Sequence, residues 1–192
     1  MIVFDTVAPL HYILSKLVVL LIKQMFSRSP QKRPFLCLKF EVAMISEKGL
    51  SLVRQFEGLR TTAYKCSAGV WTIGYGHTQQ VKAGQVITKT QADAFLQLDI
   101  SKADAAIQRL VKVPINQNER DALASFIFNL GAGAFESSTL LKKINEGDKQ
   151  SAANEFLKWD KFRNPVTKKL ETLTGLTKRR VAEKSLFESN AL

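Results

Sequence analysis

The chain has 192 residues, of which 45% are hydrophobic and 23% are charged, so it can bury the core of one ordinary domain with an extension. Its two cysteines are too few for a disulfide-rich scaffold, and its two histidines lack metal-ligand spacing, which argues against both classes of protein. The formal net charge of +11 indicates an anionic partner or surface without deciding which one.

Residues 1–43 differ from the rest of the chain and are predicted to be an N-terminal extension. Residues 10–22 form an apolar stretch that is interrupted by Lys16 and followed by a basic tract. A spanning helix needs about 20 mostly apolar residues, and a secretory signal has positive charge before its apolar run, so neither pattern is complete. Three interpretations stay open: a weak membrane anchor, an amphipathic surface helix, or a non-essential upstream segment, because Met44 resembles a natural domain start.

Residues 44–192 are predicted to form one domain that opens with a short helix. Apolar side chains recur at helical spacing between Ile45 and Phe56. Ser46 is the predicted N-cap, and Gly58 stands where a helix can end. Glu57 is therefore expected at the C-terminal end of this helix.

The segment after the first helix indicates a small sheet. Residues 70–75 are rich in β-branched and aromatic side chains, which favour a strand, and the glycines around them mark turns. A turn near Gly84 predicts a small hairpin or meander over residues 79–90.

From residue 90 onward the pattern is helical for most of the chain. Further helices are predicted to begin at Thr90, within residues 116–118, at Ser138 or Thr139, at residue 151 and at residue 178. The second of these is expected to end at Gly131, and the fourth is expected to run through residue 162. A small sheet packed against a helical body is an α+β fold.

Glu57 carries the first indication of chemistry. Hydrolysis of a glycosidic bond needs an acid that protonates the leaving oxygen and a second group that attacks the anomeric carbon or prepares a water. A carboxyl group at a helix end beside a polar β-segment suits the first role. A lone glutamate at a helix end is usually a solvated charge, so the residues that follow it decide the interpretation.

The spacing after Glu57 is specific. The segment reads E-G-L-R-x3-Y-x-C-x3-V-W-T-I-G-Y-G-H-T, with eight residues between Glu57 and Cys66 and five between Cys66 and Thr72. It resembles the phage-type lysozymes, also called endolysins or muramidases, whose motif has Glu, eight residues, Asp or Cys, five residues, Thr and a glycine-bracketed turn with His. The resemblance covers residues 45–188 and does not extend to residues 1–43.

The resemblance implies a lysozyme that hydrolyses β-1,4 bonds between N-acetylmuramic acid and N-acetylglucosamine in bacterial peptidoglycan and so lyses the host cell. It also implies a two-lobed fold, with a small β-sheet lobe, a mainly helical lobe and a cleft between them. This chemistry proceeds with side chains and water, so neither a cofactor nor a metal is expected.

The catalytic residues implied by the resemblance are Glu57, Cys66 and Thr72. Glu57 would be the general acid, and Thr72 would orient the water or the substrate. Cys66 stands where the family often has Asp, and a thiol with a reference pKa near 8.5 is mostly neutral at pH 7. Its alternatives stay open: thiolate nucleophile, base, a group that places a water, or a small buried filler.

His77, Asn129 and Arg180 are the candidate substrate-binding residues. Asn129 resembles a family position that faces the cleft, which implies a hydrogen bond to an acetamido sugar. For His77, pinning the turn by pairing with an acidic residue is favoured over proton transfer. Either Arg179 or Arg180 would reach Glu57 as an ion-pair partner, and the sequence does not fix which one.

With this family resemblance, the positive charge indicates attraction to the anionic bacterial wall. We expect a monomer that acts on peptidoglycan and not on nucleic acid, because the basic residues form no clustered reading face. The expected location is the host cytoplasm before release to the periplasm and cell wall. Weak membrane association through residues 10–22, membrane-tethered export, and a Cys37–Cys66 disulfide that is opened by reduction are the alternatives by analogy.

Overall fold

The computed structural model describes residues 44–66, 69–164 and 167–190. The predictions for residues 1–43, including the apolar stretch at 10–22 and Cys37, lie outside the described residues. The described part contains seven α-helices, one 3-10 helix and two antiparallel two-stranded sheets, which confirms the predicted α+β class. In chain order the elements are α1 (Glu47–Glu57), β1 (Arg60–Lys65), β2 (Trp71–Gly74), α2 (Lys89–Leu110), α3 (Gln117–Leu130), α4 (Ala132–Glu136), α5 (Thr139–Asn145), α6 (Lys149–Glu155), the 3-10 helix (Phe156–Trp159), β3 (Lys161–Arg163), β4 (Leu170–Thr172) and α7 (Thr174–Glu188).

Helix α1 begins where the sequence predicted it, because the Ser46 hydroxyl accepts a hydrogen bond from the Lys48 amide at 3.2 Å. Ser46 also ties the helix to α3, since its amide donates to Asp121 Oδ1 at 2.9 Å and its hydroxyl donates to Oδ2. The helix ends at Glu57, and Gly58 follows with a φ of 69° that favours glycine. Glu57 therefore projects from the last turn of α1.

A small β lobe follows α1. Strands β1 and β2 pair antiparallel, with Tyr64 opposite Thr72. The hairpin or meander predicted for residues 79–90 is present only as a short pairing beside β1, in which the Ala63 amide donates to the Gln85 carbonyl at 2.9 Å. The lobe is thus a two-stranded hairpin with one extra segment along its outer edge.

Helix α2 has 22 residues and is about 33 Å long. The prediction that Thr90 caps it is wrong, because Thr88 does. The Thr88 hydroxyl accepts from the Gln91 amide at 3.2 Å, and the Gln91 side chain accepts from the Thr88 amide at 2.8 Å. Thr90 also has an acceptor three residues later, Asp93, but that carboxylate binds Arg54 at 2.9 Å. Spacing alone could not separate the two threonines.

Helix α3 is the centre of the domain, and nine of its 14 residues are buried. The Phe126 ring meets the rings of Phe135, Phe156 and Trp159 edge to face, with centroids 5.4 to 6.3 Å apart. These rings belong to one cluster of buried apolar side chains that extends into the β lobe at Ile73. The two lobes therefore share a core.

Two other predicted helix starts are confirmed by side-chain caps. Asn116 opens α3 by accepting from the Glu119 amide at 2.9 Å, and Ser138 opens α5 by accepting from the Leu141 amide at 3.1 Å. Helix α3 ends before Gly131, as predicted.

The prediction of one helix over residues 151–162 is wrong at its end. Helix α6 stops at Glu155, the 3-10 helix continues to Trp159, and residues 161–163 form β3. The Asn164 amide then donates to the Lys169 carbonyl at 2.9 Å and closes the hairpin with β4. Pro165 follows in the sequence, and a proline disfavours helix in the residue before it. That signal favours a turn here.

Within the described ranges, none of the helices combines the length and the apolar composition that crossing a membrane requires.

Gly49 in α1 is predicted to be required for the packing of α1 on α3. A Cβ on Gly49 would lie 2.7 Å from Ile45 Cγ2 and 2.9 Å from Asp121 Cβ, so Gly49→Ala should lower the free energy of unfolding by about 1–3 kcal/mol. Gly175 in α7 is the matched control, because a Cβ there meets nothing within 4 Å, and Gly175→Ala should raise the free energy by up to about 1 kcal/mol. Urea unfolding of both variants checks this. A stabilised Gly49→Ala protein would contradict the close approach.

Candidate active site

Glu57 lies where α1 meets the β lobe. Its side chain is 23% exposed, so the carboxyl group reaches solvent while most of the residue is enclosed. Oε1 accepts a hydrogen bond from Arg179 Nη1 at 2.6 Å. Oε2 faces the turn after β2, since a Cβ built on Gly76 would stand 3.9 Å from it. One carboxyl oxygen is thus held by a cation, and the other faces the β lobe.

Arg179 is the ion-pair partner of Glu57, which settles the alternative between Arg179 and Arg180. The Arg179 side chain is almost completely buried, and all three of its guanidinium nitrogens donate. Besides Glu57, Nε donates to Glu183 Oε1 at 3.1 Å, and Nη2 donates to the Ser125 carbonyl at 3.1 Å. A planar guanidinium that is bonded on every side has little freedom to turn, so it restricts the Glu57 carboxyl as well.

Arg180 and Glu183 are both completely buried beneath this ion pair. Arg180 Nη1 and Glu183 Oε2 are 3.0 Å apart, although neither atom has a well-aligned hydrogen bond to the described residues. Burial lowers the pKa of Arg180 to about 10, and the charge of Glu183 opposes that shift, so Arg180 is charged at neutral pH. Arg180 has no exposed surface and cannot contact the substrate directly, so the prediction that it binds the substrate is wrong.

Asn129 lies half-buried near the C-terminal end of α3. Its Oδ1 accepts a hydrogen bond from Arg180 Nη2 at 2.6 Å. A guanidinium only donates, so the atom that faces Arg180 must be the amide oxygen. The amide NH₂ group therefore points away from Arg180.

Cys66 and Thr72 stand on either side of the β1–β2 hairpin and share one acceptor. The carbonyl of Val70 accepts from the Cys66 amide at 3.0 Å and from the Thr72 hydroxyl at 3.1 Å. Thr72 is buried, whereas Cys66 is half-buried.

His77 lies in the turn after β2 and is 6% exposed. Its Nδ1 is 2.7 Å from Asp99 Oδ2, and its ring stacks on Phe95 with centroids 4.4 Å apart. Its backbone exchanges two hydrogen bonds with Ile73, both of 2.9 Å. These are the contacts expected of a residue that pins the turn by pairing with an acidic residue.

A groove of about 270 Å³ runs between this turn and the end of α3. Gly76 and Thr78 line one side of it, and Phe128 and Gly131 line the other. Neither Glu57 nor Asn129 lines this groove, but Gly76, which Glu57 Oε2 faces, and Phe128, which precedes Asn129 in the chain, both do. A larger groove of about 590 Å³ between α1 and α7 contains none of the candidate residues. In the described ranges, no group of three or more His, Cys, Asp or Glu could hold a metal ion.

Glu183 and Ser125 are site residues that the sequence analysis missed. Glu183 lies four residues after Arg179 and three after Arg180, and these spacings on one helix signal ion pairs. Ser125, whose hydroxyl donates to Glu183 Oε1 at 2.7 Å, comes from another helix and has no such signal.

Comparison with known proteins identifies the family. The phage lysozyme family matches residues 54–183, a range that includes Glu57, Asn129 and both arginines of α7. The chain belongs to the phage lysozyme family. As a phage lysozyme it is a glycoside hydrolase that acts on bacterial peptidoglycan, which confirms the activity predicted from the motif.

Individual relatives agree with this family. An endolysin of Acyrthosiphon pisum secondary endosymbiont phage 1 is 54% identical over 145 residues, which are 76% of this chain and 98% of that protein. The muramidase domain of SpmX from Asticaccaulis excentricus has a TM-score of 0.73 and 40% identity, covering 76% of this chain and 98% of that one. A SAR-endolysin of Enterobacteria phage PA-2 is 39% identical over 104 residues, 54% of this lysozyme and 63% of that protein. The likeness in structure confirms the predicted lysozyme-like, two-lobed fold.

His77 is predicted to stabilise the turn of this lysozyme and not to transfer protons. His77→Ala should lower the free energy of unfolding by about 2 kcal/mol through loss of the Asp99 hydrogen bond and the Phe95 contact. Asp99→Ala should have a similar effect, and the double variant should lose less than the sum of both. A folded His77→Ala protein whose kcat has fallen by about a hundredfold or more would instead indicate proton transfer.

Proposed function

We propose that this phage lysozyme cleaves the β-1,4 bond between N-acetylmuramic acid and N-acetylglucosamine with Glu57 as the general acid. The observation that carries the proposal is the position of the Glu57 carboxyl group. Arg179 holds Oε1 at 2.6 Å, which leaves Oε2, on the side of Gly76, to carry the proton. The groove beside Gly76 is the proposed place for the sugar whose glycosidic oxygen receives that proton.

Asn129 is proposed to bind the substrate. Its amide oxygen is already bonded to Arg180, so its NH₂ group is the part that can donate to a sugar acetamido oxygen. Position supports this role, since Asn129 is half-buried and lies between groove residues Phe128 and Gly131. Arg180 would act through Asn129 and would not touch the sugar.

Cys66 and Thr72 are proposed to orient the water that attacks the anomeric carbon. Their anchorage on one carbonyl, that of Val70, keeps the two groups in a fixed relation across the hairpin. A neutral thiol and a hydroxyl can both hydrogen-bond a water. As the water oxygen bonds to the anomeric carbon, the glycosidic bond breaks, Glu57 protonates the leaving oxygen and the water's proton passes to solvent, so no covalent bond to sulfur forms.

Glu57→Gln is expected to abolish the clearing of outer-membrane-permeabilised Gram-negative cells, with at least about a hundredfold loss of rate, because glutamine cannot donate the proton. Glu47→Gln is the matched control on the same helix, since Glu47 is exposed and pairs only with Arg54 among the described residues. Equal clearing by Glu57→Gln and the unchanged chain would overturn the assignment of the acid.

The same assay on Cys66→Ser tests the water-orienting role. A serine hydroxyl can still bind a water, so Cys66→Ser should stay within about tenfold of the unchanged chain, whereas Cys66→Ala should lose more. Complete loss in Cys66→Ser, with a glycosyl adduct on the unchanged chain in mass spectrometry, would show a thiolate nucleophile instead.

We also propose that residues 10–22 attach the lysozyme to a membrane before it reaches the wall. Support comes from the apolar stretch with its basic flank and from the similarity to SAR-endolysins. Val18→Arg with Leu20→Arg should move the protein from the membrane pellet to the supernatant, and Val3→Arg, outside the stretch, should not. Equal pelleting of all three proteins would contradict attachment through this stretch.

The active form is proposed to be a monomer that binds no nucleic acid, to be checked by light scattering and a gel-shift assay.

A further inference from the structure

Glu183 is a completely buried carboxylate that contacts both α7 arginines. Its Oε1 accepts from Arg179 Nε at 3.1 Å and from the Ser125 hydroxyl at 2.7 Å. Its Oε2 lies 3.0 Å from Arg180 Nη1. Arg179 contacts Glu57, and Arg180 contacts Asn129. Glu183 is therefore linked to both polar groups of the candidate active site through one arginine each.

The first connection runs through Arg179 to the acid. Glu183 and Ser125 bind two of the three guanidinium nitrogens, and Nη1 remains to reach Glu57 Oε1 at 2.6 Å. A guanidinium is planar, so fixing two of its nitrogens fixes the direction of the third. The place of Glu57 Oε1 therefore depends on Glu183.

The second connection runs through Arg180 to the amide. Arg180 Nη2 donates to Asn129 Oδ1 at 2.6 Å, and the Arg180 guanidinium lies over the Phe126 ring at 5.1 Å. Glu183 holds the opposite corner of that guanidinium. Among the described residues, Asn129 Nδ2 donates to no protein acceptor, so both of its N–H groups stay available to a substrate.

The balance of charge in this cluster depends on the protonation of Glu57. Two guanidiniums face two carboxylates while Glu57 is ionised. Burial raises the pKa of Glu183, and the charges of Arg180 and Arg179 oppose that shift. Arg180 also interacts with the charge of Glu57. From the other packed helices, α3 contributes the Ser125 hydroxyl and the Phe126 ring. When Glu57 takes up its proton, Glu183 is the counter-charge that remains within contact of both arginines.

We propose that Glu183 is a positioning residue for the hydrolysis: through Arg179 it holds the Glu57 carboxyl group, and through Arg180 it presents the Asn129 amide to the sugar. The proposal rests on Glu57 being the acid and Asn129 a substrate contact. A purely structural ion pair would stabilise α7 without affecting how activity depends on pH.

Glu183→Gln tests the connection to the acid. Glutamine keeps the size of the side chain but removes the counter-charge, so the two arginines should hold Glu57 in its ionised form more strongly. The pH above which hydrolysis of soluble peptidoglycan strands declines should then fall by about 1 unit, because a general acid must be protonated. Glu119→Gln is the matched control: Glu119 is a buried glutamate that pairs with Lys149 at 2.8 Å, on α3 and away from Glu57. Its pH profile should not move even where its stability falls.

The connection to the amide is tested by KM. Glu183→Gln should raise KM about fivefold through loss of Asn129 orientation. In an Asn129→Ala background the same substitution should leave KM unchanged while the pH profile still shifts. An unmoved pH profile in folded Glu183→Gln protein, or an equal rise of KM in both backgrounds, would overturn the proposal.

Glu183→Asp keeps the test decisive if Glu183→Gln does not fold. Aspartate retains the charge but withdraws it by one methylene, so the pH profile should stay in place while kcat decreases severalfold. Unchanged kcat would contradict positioning through Arg179. Failure of the acid assignment is distinguishable, because it would appear as activity in Glu57→Gln whatever the Glu183 variants do.

Discussion

The hydrogen bond between Arg179 Nη1 and Glu57 Oε1 joins residues that are 122 positions apart in the chain. It connects the last residue of the first described helix to the middle of the last one, and both helices pack on α3. The position of the Glu57 carboxyl group depends on the contacts that hold α1 and α7 against α3. The Ser46 cap and the close approach at Gly49 seat α1 on α3, while Ser125 on α3 holds the arginine from the other side.

The same contact explains how a small β lobe can take part in the site. Glu57 is the last helical residue before the β lobe, and its second oxygen faces Gly76 in the turn that His77 pins to Asp99 on α2. Since Ile73 of β2 belongs to the common hydrophobic cluster, the turn cannot move away from α2 without opening that core. Arg179 in the helical lobe thus binds one oxygen of Glu57, and the turn at Gly76 in the β lobe faces the other.

Local signals predicted much of this arrangement. The helix end at Glu57, the cap at Ser46 and the helix start at residues 116–118 were all visible, because each is set by neighbours within a few residues. What failed depends on distant partners. Thr88 and Thr90 are equivalent in spacing, but Asp93, three residues after Thr90, binds Arg54 and Lys89 and closes no cap. Likewise, adjacent arginines on one helix point in directions about 100° apart, so only the packing of α7 shows that Arg179, and not Arg180, reaches Glu57.

The buried charges beneath the site are hard to explain by stability alone. A buried ion pair is often no better for stability than well-packed apolar side chains, because removing both ions from water offsets their attraction. Here Arg180 and Glu183 are completely buried, and Arg180 Nε, Arg180 Nη1 and Glu183 Oε2 lack aligned hydrogen-bond partners among the described residues. Apolar residues in their place would leave Asn129 Oδ1 and the Nε atom of Arg179 without the partners that orient them. The arrangement is therefore better understood as a fixed set of directions for Glu57 and Asn129 than as a contribution to folding.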